Sequence, residues 1–138
     1  MRLLLAAALI SAEGCGGAPP FVGIDCGATD ERLGSYDATG HECFWNAYTT
    51  GSAARWSLRS YTIEGDPIPT TLLFQPKGGI GLVVTRDTSG DRFGGAGNQR
   101  IFTYRCGTMT KAPHGDDISR YGFLLSNCTG DGPYTSVP

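Results

Sequence analysis

The chain has 138 residues, with 11 lysines and arginines against 13 aspartates and glutamates and a formal net charge of −2. A charge this near zero, with no basic stripe, excludes the electrostatic footprint of a nucleic-acid binder or of a protein held on anionic lipid by charge alone. The length fits one domain able to bury roughly two-thirds of its unfolded surface.

At the N-terminus, "MRLLLAAALISAEGC" carries one cation, Arg2, and an apolar run from Leu3 to Ile10. The run is too short to span a bilayer and reads as a secretory signal peptide over residues 1–14. Its "SAEGC" end resembles the lipobox at which bacterial lipoproteins are cut and lipidated on the following cysteine. That likeness predicts a mature chain beginning at a lipidated Cys15, partnered with the outer face of a bacterial membrane through the lipid. Cleavage there removes Arg2 and Glu13, so the net charge stays at −2. Residues 15–36, rich in glycine and proline with no sustained period, read as a tether and an irregular segment. No second long apolar stretch follows, so the chain is expected to be anchored to the membrane and not to span it.

Four further cysteines, Cys26, Cys43, Cys106 and Cys128, make an even set in a small exported chain, where disulfides form and persist. Three pairings are possible. Zinc is disfavoured, because no Cys-x-x-Cys occurs and neither His41 nor His114 has a partner at ligand spacing.

Residues 37–130 read as the folded domain and 131–138 as a tail. In "TGHECFWNAYTTG", Thr39 and Glu42 stand at capping-box spacing and Gly51 is a plausible stop, which predicts one short helix. Cys43, Phe44, Ala47 and Tyr48 would share a face and lay an apolar stripe on a sheet. From Arg55 the period changes to alternation. "WSLRSYTI" loses phase after Leu58, which predicts a bulge near Arg59 and Ser60 or a strand covered on both faces. Ile68, Thr70, Leu72 and Phe74 form the inward face of the next strand, and Ile80, Leu82 and Val84 that of another, joined through "QPKGG". "RIFTYRC" and "YGFLLSNC" supply two more, connected by the polar "KAPHGDD". The fold class expected is α+β: one short N-terminal helix packed on an antiparallel meander of about five strands, stapled by disulfides.

Between the first two of these strands, "YTIEGDPIPT" places Glu64 and Asp66 around Gly65, with Pro67 and Pro69 beyond. The glycine and prolines suit a chain reversal. Catalysis by the two acids would need a partner that separates their pKa values, and the sequence supplies none.

The same residues carry a resemblance. "YTIEGDPI", "DTSGDRFGG", a strand ending in Cys106 and "YGFLLSNC" ending in Cys128 follow, in order and spacing, an uncharacterised family of small bacterial lipoproteins. The likeness covers roughly residues 38–128, and "TIEGDPI" is its most specific piece. It implies a lipid-anchored extracytoplasmic domain and supplies no active site. It also places Cys106 and Cys128 at the ends of two strands, which implies that they pair. Cys26 and Cys43 depart from the family pattern and would form the second bridge.

In "DTSGDRFGGAGN", Asp87, Ser89 and Asp91 match an EF-hand register, but Arg92 stands where glycine is needed and Asn98 where the bidentate glutamate belongs. A different cation site could use Asp87 and Asp91 with Glu64 or Asp66. "GGAGN" lacks the lysine and the following helix of a phosphate loop, and no G-x-S-x-G elbow is present. His114 stands beside Asp116 and Asp117. The aromatics Phe44, Trp45, Trp56, Tyr61, Phe102, Tyr104, Tyr121 and Phe123 read mainly as core, with an exposed patch on the last strand as the alternative. The function expected is a lipid-anchored extracytoplasmic binding or interaction module without a cofactor and with no nucleic-acid partner. Its candidate binding turns are Glu64, Asp66, Asp87 and Asp91. The alternative is a small exported hydrolase or metal-dependent enzyme built from these acids and His114, which would require them to face one pocket.

Overall fold

The computed structural model describes residues 20–131 and 135–138, so the predicted signal peptide, Cys15 and the glycine-rich start of the tether lie outside the described residues. The predicted helix is α1 (Ala38–Thr49), and its cap lies two residues before Thr39. The Asp37 carboxylate accepts from the Thr39 N–H at 3.0 Å and from the Thr29 hydroxyl at 2.7 Å. This corrects the capping-box reading: Thr39 is inside the first turn, and Glu42 points instead to Lys111 Nζ at 3.1 Å. Gly51 ends the helix as expected, with its N–H on Tyr48 O and the Ser52 N–H on Ala47 O at 2.8 Å. Phe44 and Ala47 of the predicted stripe are buried, and Tyr48 packs at the margin of the core.

Seven strands form one sheet among the described residues, in chain order from β1 to β7. The first, β1 (Ile24–Asp30), lies where irregular structure was expected. It pairs parallel with β2 (Ala54–Tyr61), and α1 is the crossover that parallel pairing requires. The sheet is therefore mixed, where the sequence reading gave an antiparallel meander of about five strands. The sequence IDCGATD shows no apolar alternation because this edge strand buries only Thr29. A bulge between Asp25 and Ala28, with Gly27 at φ +80°, lets Cys26 reach Cys43 at a Cα separation of 5.6 Å.

β2 has no bulge near Arg59 and Ser60. It keeps register with β3 (Pro67–Gln75) from Ala54↔Phe74 to Tyr61↔Pro67. Ala54, Trp56 and Leu58 are buried, and Ile63, past the strand end, is fully exposed. The lost phase thus marks where the strand stops. β3 and β4 (Gly81–Asp87) bury Ile68, Thr70, Leu72, Leu82 and Val84 as expected, with a 3-10 turn at Lys77–Gly79 between them.

β5 (Ile101–His114) and β6 (Asp117–Gly130) have 14 residues each, well beyond the stretches "RIFTYRC" and "YGFLLSNC". Most of "KAPHGDD" is strand, and the chain reverses at Gly115 and Asp116. β7 (Ser136–Val137), in the expected tail, pairs with Phe123 and Leu124 of β6. Along this hairpin the inward set changes parity on both strands at once: Phe102, Tyr104 and Cys106 give way to Met109, while Phe123 and Leu125 give way to Cys128. The change falls at Gly107 and Asn127, where Asn127 has φ +55°. The two strands therefore reconcile their opposite apolar parities, and Cys106 bonds to Cys128 directly across the ladder at a Cα separation of 4.0 Å. Both disulfides follow the expected pairing.

Four strand steps separate β2 from β6, about 19 Å in a flat sheet. Yet the rings of Trp56 and Phe123 lie 6.1 Å apart, so the sheet curls until its two halves meet. Phe44 of α1 lies 6.3 Å from each of those rings. The Tyr48 hydroxyl accepts from the Met109 N–H at 3.0 Å, and Tyr36 and Tyr121 exchange two hydrogen bonds. The core is one cluster running from the helix through Trp56, Leu72 and Val84 to Phe123. Phe102 and Tyr104 belong to it, Trp45 and Tyr121 pack on it, and Ile118 and Leu124 on the last long strand are large and exposed.

Candidate functional site

The acidic turn is a joint between loops. Its backbone closes on itself through Thr62 N–H to Asp66 O at 2.9 Å and Gly65 N–H to Thr62 O at 3.0 Å. Asp66 is only 5 % exposed, and its two oxygens accept from Arg92 N–H at 2.9 Å and Arg92 Nε at 2.7 Å. These bonds, the main-chain one first, hold its carboxyl below the ordinary carboxylate range. Glu64 stands exposed beside it. Asp87 accepts from the Ser89 N–H and hydroxyl at 2.9 and 2.6 Å, which likewise lowers its pKa, and Asp91 accepts from the Phe93 N–H at 3.1 Å. The four acids thus occupy neighbouring loops, with three of them bound to their own turns or to Arg92. Among the described residues no group of three or more His, Cys, Asp or Glu side chains could hold a metal ion.

A concavity borders this turn. A cleft of about 960 Å³ opens where the curled sheet leaves its mouth unclosed. One wall is the 3-10 turn Arg32–Gly34 with Glu31 before it; another is the end of β2 and its turn from Ser60 to Gly65. His114 and the end of β5 form the third side, and Phe123, Val137 and Pro138 lie at the base. Sequence reading placed His114 with Asp116 and Asp117. The fold turns Asp117 to Ser119 and Arg120 instead, and sets the His114 ring 6.4 Å from Tyr36. Of the predicted site residues, His114 lines this cleft; Glu64, Asp66, Asp87 and Asp91 do not.

Behind the cleft wall is a buried polar cluster. His41 is fully buried, stacked on Tyr36 at 4.4 Å and edge-on to Trp56 at 4.6 Å. Its Nδ1 lies 2.7 Å from Asp37 O and its Nε2 3.0 Å from Pro138 O. Glu31 Oε1, buried with no hydrogen-bond partner, is 4.0 Å from Nδ1. Burial pushes the Glu31 carboxyl up, and the positive charge His41 can carry pulls it down. Burial, with the Glu42 carboxylate alongside, also raises the Tyr121 phenol far above its usual range. Asp37 is held low, chiefly by the Thr29 hydroxyl, which in turn accepts from Trp56 Nε1 at 3.0 Å. No linear signal announced this cluster. Glu31 lies in a segment without period, and the contacts of His41 come from the main-chain oxygen of Asp37 and from residues just past β1 and β7, none of which is a ligand-spaced side chain.

No family model, curated protein or solved structure matches the chain. Among the described residues no helix is long and apolar enough to cross a membrane, and the two disulfides fit an oxidising, extracytoplasmic compartment.

Proposed function

We propose that this protein is a lipid-anchored binding module of the bacterial cell envelope, tethered through Cys15, whose mouth cleft receives a small polar ligand. The cleft carries the reading: about 960 Å³ lies within the range of small-molecule sites, and the mouth of a curled sheet is a favoured place for one. Its rim offers the Ser35, Ser60 and Thr62 hydroxyls over the apolar base of Phe123 and Val137. The lipobox-like "AEGC", the tether and the lipoprotein resemblance support the anchor, and the disulfides support export. A hydrolase or metal enzyme built on Glu64, Asp66, Asp87 and Asp91 finds no support, since those groups do not converge on the cleft.

Two measurements test the reading. Intact-mass analysis of the exported protein should give a lipid-modified chain starting at Cys15 in the membrane fraction; an unmodified chain starting elsewhere rejects the anchor. Amide-shift mapping with monosaccharides, amino acids and polyamines at millimolar concentration should move Ser35, Ser60 and Thr62 with at least one class, and Ser60→Trp should abolish the effect. Shifts from no class, or shifts confined to other surfaces, reject the cleft.

A further inference from the structure

We propose that the end of the sheet at which β1 begins lies against the lipid bilayer, with Val22, Ile24 and the Lys77–Gly79 turn as its contact surface, so that the cleft opens away from the membrane. This orientation rests on the Cys15 anchor proposed above.

The ladder register defines the two ends of the sheet. Ala54 pairs with Phe74, Phe74 with Leu82, Leu82 with Cys106 and Cys106 with Cys128, so one row of residues crosses from β2 to β6. Beside this row α1 gives way to β2 through Gly51–Ala53, and β3 turns into β4 at Lys77–Gly79. The chain also arrives here. The Ile24 N–H donates to Ala53 O at 2.8 Å, and the Arg55 guanidinium lies 5.3 Å over the Phe21 ring. The cleft belongs to the opposite end, where the Arg32–Gly34 turn follows β1 and Ser60 and Tyr61 close β2. The tip of the β5–β6 hairpin returns to that end, since Arg120 donates to Gly34 O at 3.0 Å.

Reach excludes an inverted domain. The eight residues of β2 alone rise about 26 Å from one end to the other. Five residues lead from Cys15 to Pro20, and at full extension they reach about 18 Å. A domain with its cleft on the bilayer would hold Pro20 farther from the surface than that. The exposed side chains then favour an upright domain over one lying on its side. Val22 and Ile24 are 83 % and 45 % exposed next to the tether, where burial in the headgroup region would take their apolar surface out of water. Val22, Ala53 and Pro76 border a hollow of about 480 Å³, and Lys77 on its rim supplies a cation for a headgroup phosphate. Ile63 and Ile118 are fully exposed too, but they stand at the cleft end, remote from the anchor. A ligand therefore enters the cleft from the aqueous side, and the lipids of the adjoining bilayer do not reach it.

The test places the lipidated full chain in phosphatidylcholine nanodiscs that carry a nitroxide on some headgroups, and reads the loss of amide signals by NMR. Val22, Ala53 and Gly78 should lose most of their intensity, while Thr62, Gly115 and Ile118 keep theirs. Val22→Asp combined with Ile24→Asp changes only exposed side chains; it should leave the protein in the disc and restore much of the signal at Ala53 and Gly78. Equal loss at both ends, or greater loss at Thr62 and Ile118, overturns the orientation and leaves the anchor standing. A double variant with the parent's losses overturns the contact surface. A chain that carries no lipid and stays out of the discs overturns the anchor, and the orientation with it.

Discussion

Asp66 and Gly40 show how single residues set the geometry. The lowered pKa of Asp66 means that its ionised form is favoured in the fold. Its stabilisation is complete above the unfolded value of about 3.9 and is lost as pH falls through the lower folded value. Asp66→Asn should therefore lower the melting temperature at neutral pH and flatten the acid limb of the stability profile, as read by circular dichroism against pH. An unchanged acid limb would show that the joint with Arg92 carries no charge-dependent energy. Gly40 lies where α1 meets β2: an added Cβ would stand 2.5 Å from Trp56 Nε1 and 2.9 Å from Thr29 Oγ1. Helix propensity favours alanine there by about 1 kcal/mol, while overpacking costs about 1–3 kcal/mol. Since the strain would also break the Trp56–Thr29–Asp37 chain of hydrogen bonds, Gly40→Ala should destabilise by about 1–2 kcal/mol in urea melts. A stabilised variant would mean that the helix can move away from the strand at little cost.

At the level of elements, the disulfides separate in importance. They close intervals of 17 and 22 residues, for which the chain-entropy model assigns about 3 kcal/mol each. Cys106 is 4 % exposed within the core at the bend of the β5–β6 hairpin, whereas Cys26 belongs to a bulge on the edge strand. Cys106→Ala with Cys128→Ala should therefore melt lower than Cys26→Ala with Cys43→Ala; the reverse order would place the weaker joint at the bend. The elements also show what sequence can reveal. α1, β3 and β4 were legible because each buries one face and so writes a period of 3.6 or 2 into its residues. β1 and β7 were not, since an edge strand and a two-residue strand bury too little to leave a pattern. The distal half of the β5–β6 hairpin was hidden for another reason: Lys111, Pro113 and His114 are held by pairing across to β6, which linear alternation does not record. The cleft inherits this. His114 was noticed by its chemistry, but Glu31 and His41 meet only because β1, α1 and β7 converge.

For the whole molecule, the contact of Trp56 with Phe123 closes the curl. Phe123→Ala should cost about 3–5 kcal/mol, the range for a buried aromatic truncated in a core, and should shift tryptophan emission to the red as water reaches Trp56. A blue emission retained with little loss of stability would show that the two halves of the sheet are joined by something other than this packing. The same contact also imposes an order in time. Under the proposed export the chain crosses its membrane from one end to the other, and Phe44 and Trp56 reach the far side well before Phe123. Until the last hairpin arrives, the helix and the first four strands present an uncovered apolar seam to water. The fold is thus completed by its C-terminal third, and the emerging chain is most vulnerable to proteases and to self-association in the interval before that third is delivered.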